Sequence, residues 1–262
     1  MKRRVLLAAM VSVPFAATAA EEPLRAAVAD PRRSQKFVAR DGARHPLEEL
    51  EFFGLRPDAT VVEVWPGGGY WTEILAPYLR ERGRYVAALP MRGIQEDTDG
   101  LAAFRAKLAA DPARYDRATV AELSNGSETL VAGGTADAVL TFRNVHNWMK
   151  DGTTSAMFAS FARALKPHGV LGVEEHRGRA DRPQDPRALS GYVRQDYAVE
   201  LGRATGFTRA ASSEIGANPR DTADYEGGVW SLPPTFVHGD VDRARYAAIG
   251  EADNFVLRFA RG

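Results

Sequence analysis

Three stretches of the chain gather the residue types that do chemistry. Residues 61–75 read VVEVWPGGGYWTEIL, in which a lone carboxylate, Glu63, stands just ahead of Pro66 and the run Gly67, Gly68 and Gly69. Residues 142–148 read FRNVHNW and bring Arg143, Asn144 and His146 close together, and residues 173–178 read VEEHRG and set Glu175 beside His176. An imidazole exchanges protons near neutral pH and a neighbouring carboxylate can share the proton, so His146, Glu175 and His176 are the candidate catalytic residues. Arg143 and Asn144 are candidates for orienting a bound molecule. Trp65 and Trp71 flank the glycines, and aromatic faces attract cations, although packing against a sheet is their commoner use.

These stretches need elements to hold them. Residues 60–65 form a short apolar, β-branched run bounded by Pro57 and by Pro66, which suits a buried parallel strand. A helix is expected over 72–80, a strand over 84–89, a helix over 100–110, a weak strand over 118–123 and a stronger one over 135–142. An amphipathic helix over 155–165 stops at Lys166, Pro167, His168 and Gly169, and strand 170–174 follows. A helix over 193–205 ends at Gly206, and 254–259 is a last strand. Strands alternating with helices predict an α/β fold, a doubly wound and mostly parallel sheet. Ahead of it, residues 21–56 read as a helical extension, with Pro46 at a helix start before Leu47, Leu50 and Phe53. Residues 215–240, rich in Gly and Pro, are too long for a simple connector and suit a cover over a site.

In such a sheet ligands bind beyond the carboxyl ends of the strands, where the glycine turn, FRNVHNW and VEEHRG all emerge. Glycines there let a ligand approach where a Cβ would clash. A phosphate loop would carry an adjacent Lys and Ser or Thr pair after the glycines, and no such pair follows; a dinucleotide turn would carry a third glycine where Thr72 stands. Glu63 repels a pyrophosphate and suits a ligand bearing ammonium or sulfonium charge, a class that includes S-adenosylmethionine.

On these residues the chain resembles the class I S-adenosylmethionine-dependent methyltransferases, and within them a group of exported bacterial members. The resemblance rests on residues 63–69, on Asp137 opening the fourth strand and on Leu165 to Gly169 before the fifth. RDGARHPLEELEFFGL, FRNVHNW, VEEHRG, GFTRAASSEIGANPRDT and the terminal FVLRFAR extend it over residues 40–262. It implies a seven-stranded Rossmann-like sheet over 57–262. It further implies that Glu63, Pro66, Gly67, Gly68, Gly69, Arg143 and Asn144 serve the cofactor, with Glu122 near the adenine. The resemblance places a ribose-binding acid where this chain has Leu89, so Glu96, Asp97 or Asp99 would have to reach back. Tyr192, Arg194 and Tyr197 would line an acceptor pocket.

Composition bounds the rest. With 262 residues, 45% hydrophobic and 26% charged, the chain is an ordinary globular protein. Residues 1–20 read as a signal peptide: a basic start, an apolar run too short to span a bilayer, and small residues at the end. Its removal takes Lys2, Arg3 and Arg4 with it, changing the formal charge from +0 to −3. Adjacent Arg3 and Arg4 are also compatible with export of a folded protein. The expectations are therefore a periplasmic or secreted location, no nucleic acid partner and no stable membrane insertion. Zero cysteines remove thiolate ligands, and His45, His146, His168, His176 and His238 lack zinc-ligand spacing, so no metal is expected. The reading is a methyltransferase using S-adenosylmethionine on a small-molecule acceptor. Its alternatives are a non-catalytic exported binding protein on the same fold and, less favoured by the glycine spacing, a nicotinamide-dependent oxidoreductase.

Overall fold

Val61 faces one side of the sheet and Val62 and Val64 the other, and all three are fully buried. A strand alternates its side chains, so a strand with buried apolar residues on both sides must be covered on both faces. The structure, a computed structural model, describes residues 21–124, 126 and 129–262. The expected signal peptide, with Arg3 and Arg4, lies outside the described residues.

The strands are β1 (Thr60–Val64), β2 (Arg84–Pro90), β3 (Thr119–Leu123), β4 (Ala136–Phe142), β5 (Leu165–His176), β6 (Phe207–Ser213) and β7 (Asn254–Arg261). They form one sheet in the order β3-β2-β1-β4-β5-β7-β6. The first five pair in parallel, and β7 runs antiparallel between β5 and β6. Chain order reverses between β1 and β4, which marks the crevice where open α/β sheets hold their ligands.

One face is covered by Trp148, Met157, Phe158 and Phe161, from the helices Val145–Asp151 and Thr154–Ala164. The other is covered by Ile74, Leu75 and Leu79 of the helix Thr72–Leu79, together with Leu50 and Phe53 of the helix Pro46–Phe53. Pro46 does open that helix, as expected, and Gly54 closes it in the left-handed conformation. Asp137 sits at the opposite edge from the crevice, accepting from the Thr60 backbone N–H at 2.8 Å and from Lys166 Nζ at 2.8 Å.

Three elements differ from expectation. β6 is not evident in FTRAASS, whose small and polar residues carry little β signal; it forms as an edge strand on β7. β5 starts at Leu165 rather than Val170, with His168 taking φ +63 inside it. Residues 215–240 hold the short 3-10 helix Gly228–Ser231, and the helix Arg243–Ile249 follows. No helix of the described residues is long and apolar enough to cross a membrane.

Candidate active site

β1 ends at Val64, and the chain turns at once. Trp65 adopts φ +51, a left-handed conformation that costs a bulky residue about 1–2 kcal/mol and normally falls to glycine. Gly67 and Gly69 follow at φ +55 and +85. Asn144 holds this exit in place: its Nδ2 donates to the carbonyls of Val64 at 3.0 Å and Trp65 at 3.4 Å, and to Thr141 Oγ1 at 3.2 Å. An added Cβ at Gly67 would meet nothing within 4 Å, because that residue faces open space; at Gly69 it would meet Lys107 Cε at 2.8 Å.

Two cavities open at the carboxyl edge. One, of about 330 Å³, is lined by Glu63, Pro66, Gly67, Gly68, Arg143, Asn144, His146 and His176, with Arg40 and Arg44 on the side of the N-terminal helices. Val229, Trp230, Pro233, Pro234 and Thr235 close it from the long segment expected to act as a cover. The second, of about 430 Å³, lies over the ends of β2 and the helix Gln95–Ala110 and includes Leu89, Pro90, Glu96 and Asp97. Trp65, Gly67 and Asn144 line both cavities, so the turn is their common wall. The Arg92 guanidinium lies over the Trp65 ring, 5.0 Å from its centroid, and Asp97 clamps it with bonds of 3.0 and 2.7 Å.

Glu63 is 1% exposed. Its Oε2 accepts from Tyr85 at 2.6 Å and Thr72 at 2.9 Å, while Oε1 is buried with no partner. Burial raises its carboxyl to about 7, against the pull of those two hydroxyls.

The separate catalytic candidates prove to be one cluster. Glu175, fully buried, accepts from His146 Nδ1 at 3.0 Å, from the His146 backbone N–H at 3.1 Å and from the His176 backbone N–H at 2.8 Å. Burial opposes its ionisation, but the His146 ring and these donors hold its carboxyl below the ordinary value. With Nδ1 donating to Glu175, Nε2 of His146 is left as a free acceptor. Asn254 donates its Nδ2 to Glu174 Oε1 at 3.1 Å, so its Oδ1 accepts from His176 Nδ1 at 2.8 Å. Burial lowers the His176 imidazole to about 3, which keeps that ring neutral across the physiological range and removes it as a proton carrier. One donor atom each from His146, Glu175 and His176 lies within 4.8 Å of the others, close enough to share an ion. The lone pairs of Glu175 are nevertheless already directed at three N–H groups, so the cluster is drawn together by hydrogen bonds.

Other expectations meet different surroundings. Glu122 is paired with Arg105 at 3.0 Å on the surface and lines neither cavity. Tyr192 donates to Asp221, Arg194 pairs with Asp196 and Tyr197 packs on the core, so none of the three lines the cavity at the glycine turn. Trp71 does line it, stacked on Phe142 at 4.1 Å. Of the three acids offered in place of Leu89, Glu96 and Asp97 line the second cavity and Asp99 does not. Asp97 is committed to Arg92, whereas Glu96 has no hydrogen bond or ion pair with any described residue. The residues that sequence reading missed are Arg40, Arg44 and Glu251, whose contacts bridge more than two hundred positions.

No protein-family model matches this sequence, and no curated protein is similar to it. Solved structures are similar in fold. A methyltransferase from Aquifex aeolicus described as SAM dependent superposes with a TM-score of 0.55 at 14% identity, over 92% of this chain and 97% of that one. The fold is that of the S-adenosylmethionine-dependent methyltransferases. The [4+2]-cyclase SpnF is similar at a TM-score of 0.56 and 16% identity, with 92% of each chain covered. A Haemonchus contortus phosphoethanolamine N-methyltransferase, solved with phosphomonomethylethanolamine and S-adenosylhomocysteine, gives 0.56 at 17% identity; 91% of this chain matches 60% of that enzyme. The likeness in fold thus reaches methyltransferases and a cyclase alike, and the chemistry must be argued from the site.

Proposed function

We propose that the protein is a methyltransferase that takes its methyl group from S-adenosylmethionine and passes it to a small-molecule acceptor. The observation that carries this reading is Glu63 lining a cavity at the glycine turn with its buried Oε1 left unpartnered. A buried acceptor without a donor costs about 1–3 kcal/mol, and an ammonium group would satisfy it and keep the carboxylate ionised. The open space beside Gly67, shared by both cavities, suits a long ligand laid across the turn. Glu96 supplies a free carboxylate for a ribose diol at the end of β2, where Leu89 itself supplies none.

S-adenosylmethionine, when bound, contributes an electrophilic methyl on a sulfonium centre. The chain contributes position and dryness: Asn144 fixes the turn, Trp65 and Trp71 present rings, and Trp230 with Pro233 and Pro234 shields the cavity from water. Where the acceptor carries a proton, Nε2 of His146 receives it, and Glu175 fixes the tautomer and balances the imidazolium charge. His176 stays neutral and acts by holding the edge of the cavity.

The test is calorimetric titration of the chain from Glu21 onward with S-adenosylmethionine, its demethylated product and NAD, followed by transfer of labelled methyl to an acceptor panel. Binding of the first two with turnover supports the proposal. Binding without turnover on any acceptor favours the non-catalytic binding protein, and binding of NAD alone favours the oxidoreductase. Export by residues 1–20 is part of the same reading and is checked by fractionating cells that express the full chain.

A further inference from the structure

The cavity at the glycine turn is lined by Arg40, Arg44 and Arg143, with Glu251 on the same wall and the buried carboxyls of Glu49 and Glu174 close to Arg44 and Arg143. Arg40 takes both oxygens of Glu251, at 2.6 and 2.7 Å, which leaves Arg44 a single long contact of 3.4 Å from Nε to the same carboxylate. Arg44 is 5% exposed, and its two terminal nitrogens donate no hydrogen bond within the described residues. Its guanidinium carbon lies over the Tyr70 ring, 4.3 Å from the centroid. Arg143, near Arg44, makes one long side-chain contact, 3.3 Å, to Glu174, whose carboxyl is pushed up by burial. Arg143 also sits at φ +60 at the end of β4, backbone strain of the kind that persists where a side chain must be aimed. Burial lowers Arg44 to about 10, and the nearby Arg143 adds to the fall.

We infer that Arg44 and Arg143 form an anion-binding fork in the cavity at the glycine turn, built to hold a carboxylate or phosphate group of a molecule bound there. A guanidinium with free terminal N–H groups offers the planar, two-pronged geometry that such oxyanions match. Arg40 plays a positioning part by occupying Glu251, which would otherwise neutralise Arg44. The inference rests on the reading of this cavity as the methyl-transfer site only for the identity of the anion's owner. That owner is either the methyl acceptor or the amino acid end of S-adenosylmethionine, and both present the same chemistry to the fork.

The experiment titrates the chain from Glu21 onward, and its Arg44→Met and Arg143→Met variants, with inorganic phosphate, with S-adenosylmethionine and with the decarboxylated form of that cofactor. Methionine keeps the apolar stem and removes the fork. Should Arg44→Met not fold, judged by circular dichroism, Arg44→Lys keeps the charge without the planar fork and Arg143→Met stands independently. A loss of about tenfold or more in phosphate affinity in the variants, with cofactor affinity unchanged, supports the fork and assigns it to the acceptor. Loss of the wild-type preference for S-adenosylmethionine over its decarboxylated form supports it and assigns it to the cofactor. Phosphate and cofactor affinities equal in wild type and both variants overturn it. Failure of S-adenosylmethionine to bind any of the proteins would sink the methyltransferase reading, and the phosphate series would still decide the fork.

Discussion

Replacing Glu63 by glutamine should make the protein more stable above neutral pH and a poorer binder. In the folded chain Glu63 is buried with Oε1 unpartnered, and its carboxyl is raised from 4.5 to about 7. Between those values the folded protein keeps a proton that the unfolded chain has released. The stabilisation is complete below 4.5 and is lost as pH rises through 7. The shift corresponds to about 3 kcal/mol. Glutamine has the same shape, keeps an oxygen for Tyr85 and Thr72 and never ionises, so it escapes that loss. Urea unfolding of Glu63→Gln and wild type should give nearly equal free energies at about pH 4.5, with the variant ahead by up to about 3 kcal/mol at about pH 8. S-adenosylmethionine should protect wild type more than the variant, since the amide cannot pair with an ammonium group. A variant that is less stable than wild type at the upper pH, or a difference that does not change with pH, would refute the assignment of an ionisable, uncompensated carboxylate.

Gly67→Val places a branched side chain at φ +55 and should cost about 1–2 kcal/mol in urea unfolding while abolishing S-adenosylmethionine binding in calorimetry. Glu175→Gln turns an amide group toward N–H donors; we expect kcat for methyl transfer to fall by about 10²-fold or more with the cofactor Kd unchanged, which a purely structural role would not produce. Gly172→Val is a control on the fold: its Cβ would lie 2.7 Å from Leu140 Cδ2 and 2.9 Å from the Phe53 ring, and overpacking of about 1–3 kcal/mol should appear as a lower urea midpoint.

The frame of the protein is legible in its sequence because β1, β2 and β4 carry apolar residues on both sides, which only a doubly covered sheet can bury. β6 escapes such a reading because an edge strand next to an antiparallel partner needs few apolar residues. The turn residues Gly67 and Gly68 are legible by type, whereas the left-handed backbone at Trp65 is not, since tryptophan there contradicts the local preference and is held by Asn144 from the turn after β4. His146, Glu175 and His176 announce themselves as ionisable groups, yet their union in one cluster depends on two parallel strands ending side by side, which pairing alone decides. Arg40 and Arg44 read as surface charge on a helical segment until Glu251 arrives from the far end of the chain.

β7 follows β6 in the chain and yet is the inner member of the pair, lying between β5 and β6. Asn254 at its start fixes the His176 ring, and Glu251 just before it holds the arginine wall. A nascent chain that has reached only residue 240 therefore possesses the glycine turn and five parallel strands but no finished cavity. Ligand capture therefore waits on β7, and a ligand-induced rise in Tm would report on the correct insertion of that strand as directly as on the glycine turn itself.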